Sequence, residues 1–580
     1  MTDENGQEWL VGLRDLPTKS AEDTLNVWKE ILSDISERCK GMEEDGLSVG
    51  DKLLLTIHHT MSDRAATCVK FDRLLEVYIN EVLPLIQQTP TDQLGEAQQE
   101  IVRRLNNFFC SLHSLVHYAD LVDKTALQHE VQHFDGIDNV PILNPSWRQA
   151  GESAAARTVR VVCKALSRGG DEKSGVYDKA LTYLLPILKQ EFDAHSLPIT
   201  PYLRNRFAIF FHNSSVIYCL YDHLVEFFSL HNSNLLLKNA LSDLKELFFV
   251  ANIRGAGLIS KTIIAPLWNT IEDKSVDLSQ MSDIYALLKF LEEASVNPQM
   301  VLNGNSLFPE RYLRKDKYWD KIFAPDERFD ALTLSALAMF MPALAIFTKQ
   351  HFADQLPGGR YADLQSADVK GVPKHNKLCE RIFGLWGMAK RQSPNKSEIA
   401  IEAALVYSCN DVAKYIDTLE PEARRKFVLD SRAETSSLRA KFKERQMALK
   451  QVAEQALQQR KDKARADEQK RIHELVDLTV KINSLGGLWK TSMEVEEGLA
   501  RIRGAARGGG KGKLLEGIKT QLAFRKKVLR QPLSDPKLWS YSEKGRAFDV
   551  DELTQRLKLV VAESPIRPTT PSSQPPENIP

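Results

Sequence analysis

The chain lacks the sequence features of a secreted protein. Its seven cysteines are odd in number, widely scattered and form no Cys-x-x-Cys pair, so neither a disulfide framework nor a clustered thiolate metal site is predicted. Met1 is followed by polar residues and not by the apolar core of a signal peptide. We therefore expect an intracellular, reduced protein.

The chain also lacks net charge, since lysine plus arginine and aspartate plus glutamate both total 77. This balance excludes global electrostatic attraction to nucleic acid or to a membrane. The charge is unevenly distributed, however, because Arg439 to Arg530 contains 23 basic and 11 acidic residues. Any basic partner surface is therefore predicted to be C-terminal.

Long hydrophobic runs are scarce. The segment Ala331 to Phe347, ALTLSALAMFMPALAIF, is uncharged and barely reaches the length of a membrane span. It contains Thr333, Ser335 and Pro342, which favour a helix buried in a helical domain over a span. No membrane partner is expected.

What the chain does contain is enough apolar sequence, 43% of 580 residues, for several domains. The first part has an α/β pattern, with strands predicted at Glu8–Leu16 and Leu53–Ile57 and a helix starting at Ser20. From about Trp147 to Gln355 helical periodicity dominates. The predicted fold class is therefore α/β plus mostly α.

Asp63 follows the strand predicted at Leu53–Ile57. A carboxylate at the C-terminal end of a buried strand lies where α/β sheets bind ligands, so Asp63 is a candidate metal ligand. The alternative is that Ser62 or Asp63 caps the following helix. The two roles are compatible.

A second candidate arrangement is formed by Cys110, His113 and His117, whose spacing places them on one helical face. This spacing resembles that of metal ligands. Apolar residues interleave with them and no fourth ligand is identifiable, so core packing is the favoured interpretation.

The segment Val372 to Asp411 predicts two helices joined by a turn at Ser393–Asn395. Glu380 and Arg381 are adjacent charges within an otherwise apolar turn. Charges in such a position are costly unless they are paired or used.

The stretch HNKLCERIFGLWG, residues 375–387, resembles the C-terminal signature of hobo/Activator-type (hAT) transposases, in which a Ser-Glu-Arg-x-Phe-Ser run precedes a basic turn and a helix. Cys379 and Gly384 stand where that family has serines. Other stretches, HTMSDR, LNNFFCSLHSLVHYAD, RNRFAIFFHN and LPGGRYAD, are similar to multi-copy transposon-derived animal proteins. Together these stretches span most of the chain to about Leu553.

In these transposases, a large helical insertion interrupts an RNase H-like sheet, and two Asp and one Glu hold divalent metal for DNA strand cleavage and transfer. The resemblance implies a partial RNase H-like core at 1–145, a helical insertion at 146–365 and a return to the core at 366–430. It also implies that Asp63 is the second Asp and Glu380 the third acid, lying close together, with Mg²⁺ or Mn²⁺ as cofactor. Cys110 and His113 match the family's Cys-x-x-His helix.

The first catalytic Asp of that family has no counterpart here. Asp3 lies in a polar stretch, and Asp15 precedes Pro17 on a different predicted strand. Two-metal chemistry needs carboxylates that hold two ions about 4 Å apart, so a missing ligand should remove most activity. We therefore expect a catalytically incomplete, transposase-derived protein. The alternatives are an active metal-dependent DNA transposase or nuclease subunit, and a helical protein-interaction scaffold without DNA binding.

The C-terminal part predicts a long basic, solvated helix at 431–485, a basic helical region at 486–560 that includes the linker Gly504–Lys513, and a disordered tail at 561–580. DNA is the expected partner of this region, with a nuclear location and a homodimer as further expectations. The residues expected to contact nucleic acid are Lys511, Lys513, Arg525, Lys526, Lys527 and Arg530.

Overall fold

A computed structural model describes residues 1–41, 48–86, 105–135, 149, 151–202, 208–280, 282–312, 315–505, 510–543 and 546–563. Helices account for 69% of the structure and strands for 3%. The expectation of a mostly α chain is confirmed. The α/β character predicted for the first part is reduced to one small parallel sheet.

The chain divides into two compact units, Met1–Phe442 and Lys443–Pro580. The elements of the first unit, in order, are α1 (Ala21–Arg38), α2 (Val49–Leu55), β1 (His59–Ser62), α3 (Ala66–Ile86), β2 (Asn106–Phe109), α4 (Ser111–His133), α5 (Ala154–Leu166), α6 (Tyr177–Phe192), α7 (Ile209–Cys219), α8 (Tyr221–Leu230), α9 (Leu235–Leu244), α10 (Leu247–Ile259), a π-helix (Ser260–Ile264), α11 (Ala265–Glu272), a 3-10 helix (Leu278–Gln280), α12 (Ser282–Val296), α13 (Gln299–Leu302), α14 (Pro309–Tyr312), α15 (Trp319–Phe323), α16 (Asp330–His351), α17 (Lys377–Gln392), α18 (Glu398–Cys409) and α19 (Val412–Thr418). The long helix α20 (Pro421–Ser484) begins in this unit.

The start of the chain shows one correct and two wrong predictions. Helix α1 begins as predicted, with the Ser20 hydroxyl accepting a hydrogen bond from the Asp23 N–H at 3.1 Å. The strand predicted at Leu53–Ile57 is wrong, because most of this run lies in α2. The Ser48 hydroxyl caps that helix by accepting the Asp51 N–H at 3.1 Å, a signal that the apolar run obscured.

The strand predicted at Glu8–Leu16 is also wrong. Its first residues form only an isolated antiparallel bridge, between Thr2 and Glu8, and side chains satisfy backbone groups further along. The Leu10 N–H donates to Asn410 at 2.8 Å, and the Leu13 N–H donates to Glu402 at 2.9 Å. The segment therefore lies against α18 and its C-terminal end as an extended chain.

The sheet that does form consists of β1 and β2, which run parallel. Its register pairs His59 with Asn106 and Ser62 with Phe109. β2 leads into α4 after one residue. The C-terminal ends of both strands therefore lie together at the start of α4.

The middle of the first unit is a helical domain, as its periodicity predicts. Helices α4, α10 and α16 pack in its centre, where Tyr118, Phe249 and Phe340 are fully buried. Two buried ion pairs bind α5 to its surroundings. They are Arg157 with Asp243 at 2.7 Å and Arg160 with Glu152 at 2.6 Å.

Two helical stretches are long and apolar enough to cross a membrane by length and composition, within the described part of the chain. Leu247–Glu272 has a mean hydropathy of 1.4, and 89% of its most apolar window is buried inside the protein. Asp330–His351 has a mean hydropathy of 1.9, with 44% buried. Packing in the core explains why the first stretch is apolar and why one face of the second stretch is apolar.

The second unit continues α20 and adds α21 (Ser492–Ala505), α22 (Lys511–Lys527), a 3-10 helix (Pro536–Trp539), the antiparallel pair β3 (Ser542–Glu543) and β4 (Arg546–Ala547), and α23 (Val550–Glu563). Its core surrounds Trp489, with Leu499, Ile518 and Leu553 among the buried neighbours. Helix α20 contains the long helix predicted at 431–485. Most of the tail predicted at 561–580, and residues 506–509 of the predicted linker, lie outside the described residues.

Gly498 in α21 provides a test of this core. A Cβ atom at this position would lie 2.2 Å from the Trp489 indole ring, which has no space to move within the core. We expect Gly498→Ala to destabilise the second unit by about 1–3 kcal/mol, the usual cost of overpacking. Urea unfolding followed by tryptophan fluorescence measures the change.

Gly504→Ala in the same helix is the matched control, because no atom lies within 4 Å of the added Cβ. This variant should gain up to about 0.5–1 kcal/mol from reduced chain entropy. Equal stability of the two variants would contradict the packing described for Trp489.

Glu130 in α4 is a fully buried carboxyl group at the start of α5. It accepts the N–H groups of Ala154 at 2.7 Å and Ala155 at 2.9 Å. Burial nevertheless raises its pKa from 4.5 to about 7, against the lowering effect of these two donors and of Arg157. Ionisation of Glu130 in the folded protein is therefore unfavourable.

This shift predicts a pH dependence of stability. Between pH 4.5 and 7 the folded state holds the Glu130 proton more tightly than the unfolded state, so the contribution of Glu130 to stability is fully present below pH 4.5 and is lost as pH rises towards 7. The loss should be on the order of 3 kcal/mol. Unfolding of the parent chain and of Glu130→Gln, compared from pH 4.5 to 7.5, isolates this contribution. A constant difference between the two proteins would contradict it.

Candidate functional site

Asp63 and Cys110 lie next to each other at one edge of the small sheet. Asp63 directly follows β1 and Cys110 directly follows β2, and the Cys110 N–H donates to the Ser62 carbonyl at 2.8 Å. This edge carries the C-terminal ends of the parallel strands, where α/β sheets place ligands. Asp63 therefore follows a strand, but this strand is the half-buried β1 and not the buried strand predicted at Leu53–Ile57.

The turn that carries Asp63 is fixed by its own side chains. The Asp63 carboxylate accepts the Ala65 N–H at 3.0 Å, one residue before α3, so Asp63 also stabilises the start of that helix. Arg64 has a φ of 56°, in the left-handed region. Its guanidinium donates to the His351 carbonyl at 3.1 Å and pairs with Asp354. The sequence gives no signal for this role of Arg64.

Glu380 reaches the same region from the far end of the first unit. The Asn376 N–H donates to the Cys110 sulfur at 3.4 Å, and the Asn376 carbonyl accepts the Glu380 N–H at 3.3 Å. Burial raises the pKa of the Cys110 thiol, and the charge of Glu380 raises it further. Burial lowers the pKa of His117, and the charge of Asp120, followed by that of Asp63, opposes part of this lowering.

The charges next to each other in α17 are not buried. Glu380 and Arg381 are both exposed in its first turns, and Arg381 pairs with Glu8 at 3.2 Å. The cost expected for charges in an apolar turn is therefore avoided by exposure.

The other acids considered in the sequence have their own partners. Asp3 accepts the Trp9 indole N–H at 3.1 Å, which together with backbone donors lowers its pKa. Asp15 is hydrogen-bonded to Glu398 at the start of α18, and this contact raises the pKa of Glu398. Neither interaction involves β1.

Asp63 and Glu380 offer two carboxylates, the ligand type that Mg²⁺ and Mn²⁺ prefer. Within the described ranges, no group of three or more His, Cys, Asp or Glu side chains is placed to hold a metal ion. That Asp63 and Glu380 lie close enough to share one ion stays a prediction. Any ion at this edge would take its remaining ligands from water or substrate.

On the face of α4 that carries His113 and His117, the exposed His117 has aromatic rings as neighbours. Cys110 is fully buried, while His117 lies 6.4 Å from the Phe109 ring and 5.5 Å from the His351 ring. Burial, together with the charges of His117 and Arg64, lowers the pKa of His351 to about 4. These contacts favour the packing interpretation of the cysteine and histidine spacing.

A small cavity of about 10 Å³ lies beside β2 and is lined by side chains that include Phe108, Ser111, Gln355 and Tyr361. This volume is near the lower limit for one water molecule. The cavity therefore offers no room for an organic ligand.

Lys374 connects the candidate site to the helical domain. Its side chain is buried, and its ammonium donates to the carbonyls of Thr270 at 2.8 Å, Val276 at 2.6 Å and Asp273. Its own carbonyl accepts the Ser111 N–H at 3.1 Å. Lys374 therefore holds the C-terminal end of α11 and the N-terminal end of α4 in one place.

The predicted nucleic-acid contacts lie at both ends of α22. Lys511 and Lys513 are exposed in its first turn, and Lys526, Lys527 and Arg530 are exposed at or beyond its last turn. Thirteen residues separate Lys513 from Lys526, which corresponds to roughly 20 Å along the axis. Lys527 is paired with Glu474 at 2.5 Å.

Arg525 differs from the other predicted contacts because it is fully buried. Its guanidinium donates to the Trp489 carbonyl and, at 3.1 Å, to Gln531. Burial lowers its pKa to about 10. Arg525 therefore supports the core and is not accessible to a phosphate. Lys519, which the sequence reasoning missed, lies on the outer face of α22.

No protein-family model, curated protein or solved structure matches this chain. The likeness to hAT transposases consequently rests on the residues of the motifs themselves.

The role of Lys374 can be tested by Lys374→Met, which keeps the length of the side chain but removes its charge and donors. Each buried carbonyl left without a partner costs roughly 1–3 kcal/mol, so the loss of stability should be at least about 3 kcal/mol. Denaturant unfolding of the full chain measures this loss. Lys370→Met, an exposed lysine of the same loop, should change stability little. A small effect of Lys374→Met would contradict the three buried hydrogen bonds.

Proposed function

We propose that this chain is a transposase-derived, catalytically incomplete protein that binds DNA through its C-terminal unit. The observation that carries the proposal is the charge of Lys511–Arg530, which contains seven basic residues and one acidic residue. Lys511, Lys513, Lys526 and Arg530 present their charges to solvent. Neutralising phosphates with such side chains releases counterions, which drives binding independently of sequence.

The arrangement around Asp63 supports the transposase part of the proposal. A parallel strand pair, a large helical domain and a returning helix follow one another along the chain, and Cys110, just before α4, is hydrogen-bonded to Ser62 next to Asp63 and to Asn376 in the turn before Glu380. This order fits a partial RNase H-like core with a helical insertion. The two-stranded sheet is much smaller than a complete core of that kind.

The same arrangement supports catalytic incompleteness. Transfer or hydrolysis of DNA strands by two metals needs ligands for both ions. Asp63 and Glu380 would hold Mg²⁺ or Mn²⁺ if an ion binds, and such an ion would polarise a phosphate oxygen. Within the described residues, neither Asp63 nor Glu380 belongs to a group of three or more side chains that could hold a metal ion. A nuclear location belongs to the proposal because it follows from DNA binding.

Exposed aromatic residues on α17 to α19 favour a second candidate function, a scaffold that binds other proteins or a second copy of this chain. Phe383 is 62% exposed, Tyr407 48% and Tyr415 55%. Exposed apolar surface of this kind marks interaction sites when it is contiguous. Absence of DNA binding at low salt would favour this candidate.

The catalytic part is tested with a labelled DNA hairpin and Mn²⁺. The full chain should produce no metal-dependent nicking above the protein-free level, because two carboxylates cannot hold both ions. Asp63→Asn and Glu380→Gln should leave this background unchanged. Products are separated on a denaturing gel.

Metal-dependent nicking that disappears in Glu380→Gln would contradict incompleteness and favour an active enzyme. Glu422→Gln, at an exposed position in the first turn of α20, is the control for this outcome. Nicking that persists equally in all variants would identify a contaminating nuclease.

A further inference from the structure

The outer face of α22 carries two lysines in line. Lys519 and Lys526 are seven residues apart, which places them on the same side of the helix and roughly 10 Å apart along its axis. Lys526 is exposed and Lys519 is half-exposed. No ion pair involves either lysine within the described residues, whereas the neighbouring Lys527 is paired with Glu474. Glu516, three residues before Lys519, pairs with Lys481 at 3.8 Å.

These two lysines are held on a rigid support. The opposite face of α22 is buried through Leu514, Ile518 and Leu522, which belong to the core of the second unit. The ammonium of Lys519 lies 5.7 Å from the Tyr541 ring, which restricts its position. Two cations on one rigid helix match a ligand whose phosphates also have a constant spacing.

None of the phenylalanine, tyrosine and tryptophan side chains of the second unit is exposed. It contains five aromatic residues other than histidine. Trp489 and Phe548 are buried, and Phe524, Trp539 and Tyr541 are half-buried. Proteins that bind single strands combine a basic groove with exposed aromatic side chains, each worth about 1–3 kcal/mol per stacked base. This unit has the cations without the aromatic platform.

We infer that the outer face of α22, through Lys519 and Lys526, binds the phosphate backbone of duplex DNA and not the bases of a single strand. This inference rests on the proposed function and specifies the form of its ligand. The outer face also presents Gly512, Glu516 and Ala523, a set without the arginine, asparagine or glutamine side chains that commonly read base edges. Binding is therefore independent of base sequence.

The test uses the full chain and fluorescently labelled DNA in anisotropy titrations between about 50 and 200 mM salt. The probes are a mixed-sequence duplex of roughly 20 base pairs, a second duplex of permuted sequence, a thymine-only single strand of the same length, and vesicles containing phosphatidylserine. The duplexes should bind equally well and more tightly than the single strand, and the vesicles should bind least.

The variant Lys519→Glu/Lys526→Glu should lower duplex affinity by about tenfold per lysine at 0.1 M salt and reduce the salt slope by about two, since each phosphate contact contributes about 0.9. Lys526→Glu alone changes a fully exposed position and should give about half of that slope change without affecting the fold. The matched control is Lys461→Glu/Lys463→Glu, which makes the same charge change at exposed positions of α20.

The possible outcomes distinguish failure of the duplex inference from failure of the proposed function. Tighter binding of the single strand, or a clear difference between the two duplexes, would overturn the duplex inference and leave DNA binding intact. An equal loss in the α20 control variant would move the contact away from α22 and overturn it as well. Binding to neither form of DNA at the lowest salt, with or without binding to vesicles, would overturn the proposed function itself.

Discussion

The first unit depends on one buried ammonium group. The Lys374 ammonium donates to the carbonyl of Thr270 in the last turn of α11 and to the carbonyls of Asp273 and Val276 after it. The Lys374 carbonyl accepts the first N–H of α4. A buried ammonium is stable only when its N–H groups have acceptors. Burial of Lys374 therefore requires the surrounding backbone to direct its carbonyls towards the ammonium. Two residues later, Asn376 bonds to Cys110. The placement of Glu380 relative to the sheet follows from this junction, because the Glu380 N–H donates to the Asn376 carbonyl at 3.3 Å.

The second unit depends on an equivalent interaction around Trp489. Arg525 is buried beside Trp489, and its guanidinium donates to the Trp489 carbonyl. The Trp489 backbone N–H donates to the Gln521 side chain at 3.1 Å. Gly498 leaves the space that the indole fills. The loop after α20 is thereby fixed to α22, and the outer face of α22 is fixed with it. In both units a buried cation secures backbone carbonyls, so these positive charges belong to the structure and not to a binding surface.

Local signals allowed much of the helical structure to be predicted, as Ser20 shows for α1 and Thr491 for α21, where its hydroxyl accepts the Glu494 N–H at 3.1 Å. The strands could not be predicted in the same way. Leu53 to Leu55 is an apolar run compatible with either state, and the cap at Ser48 decided for a helix. The backbone of Leu10 is satisfied by Asn410, a residue four hundred positions away, which no local pattern indicates.

In the basic helix α22, the exposure of each residue to solvent could likewise not be predicted from local sequence. Arg525 and Lys526 are neighbours in a basic run, yet one is fully buried and the other is exposed. The difference follows from helical geometry, because Arg525 continues the apolar face of Ile518 and Leu522 whereas Lys526 lies on the outer face with Lys519. A count of basic residues therefore overstates what a ligand can reach. The binding capacity of α22 is set by which side of the helix each charge occupies, and that side is fixed by the core beneath it.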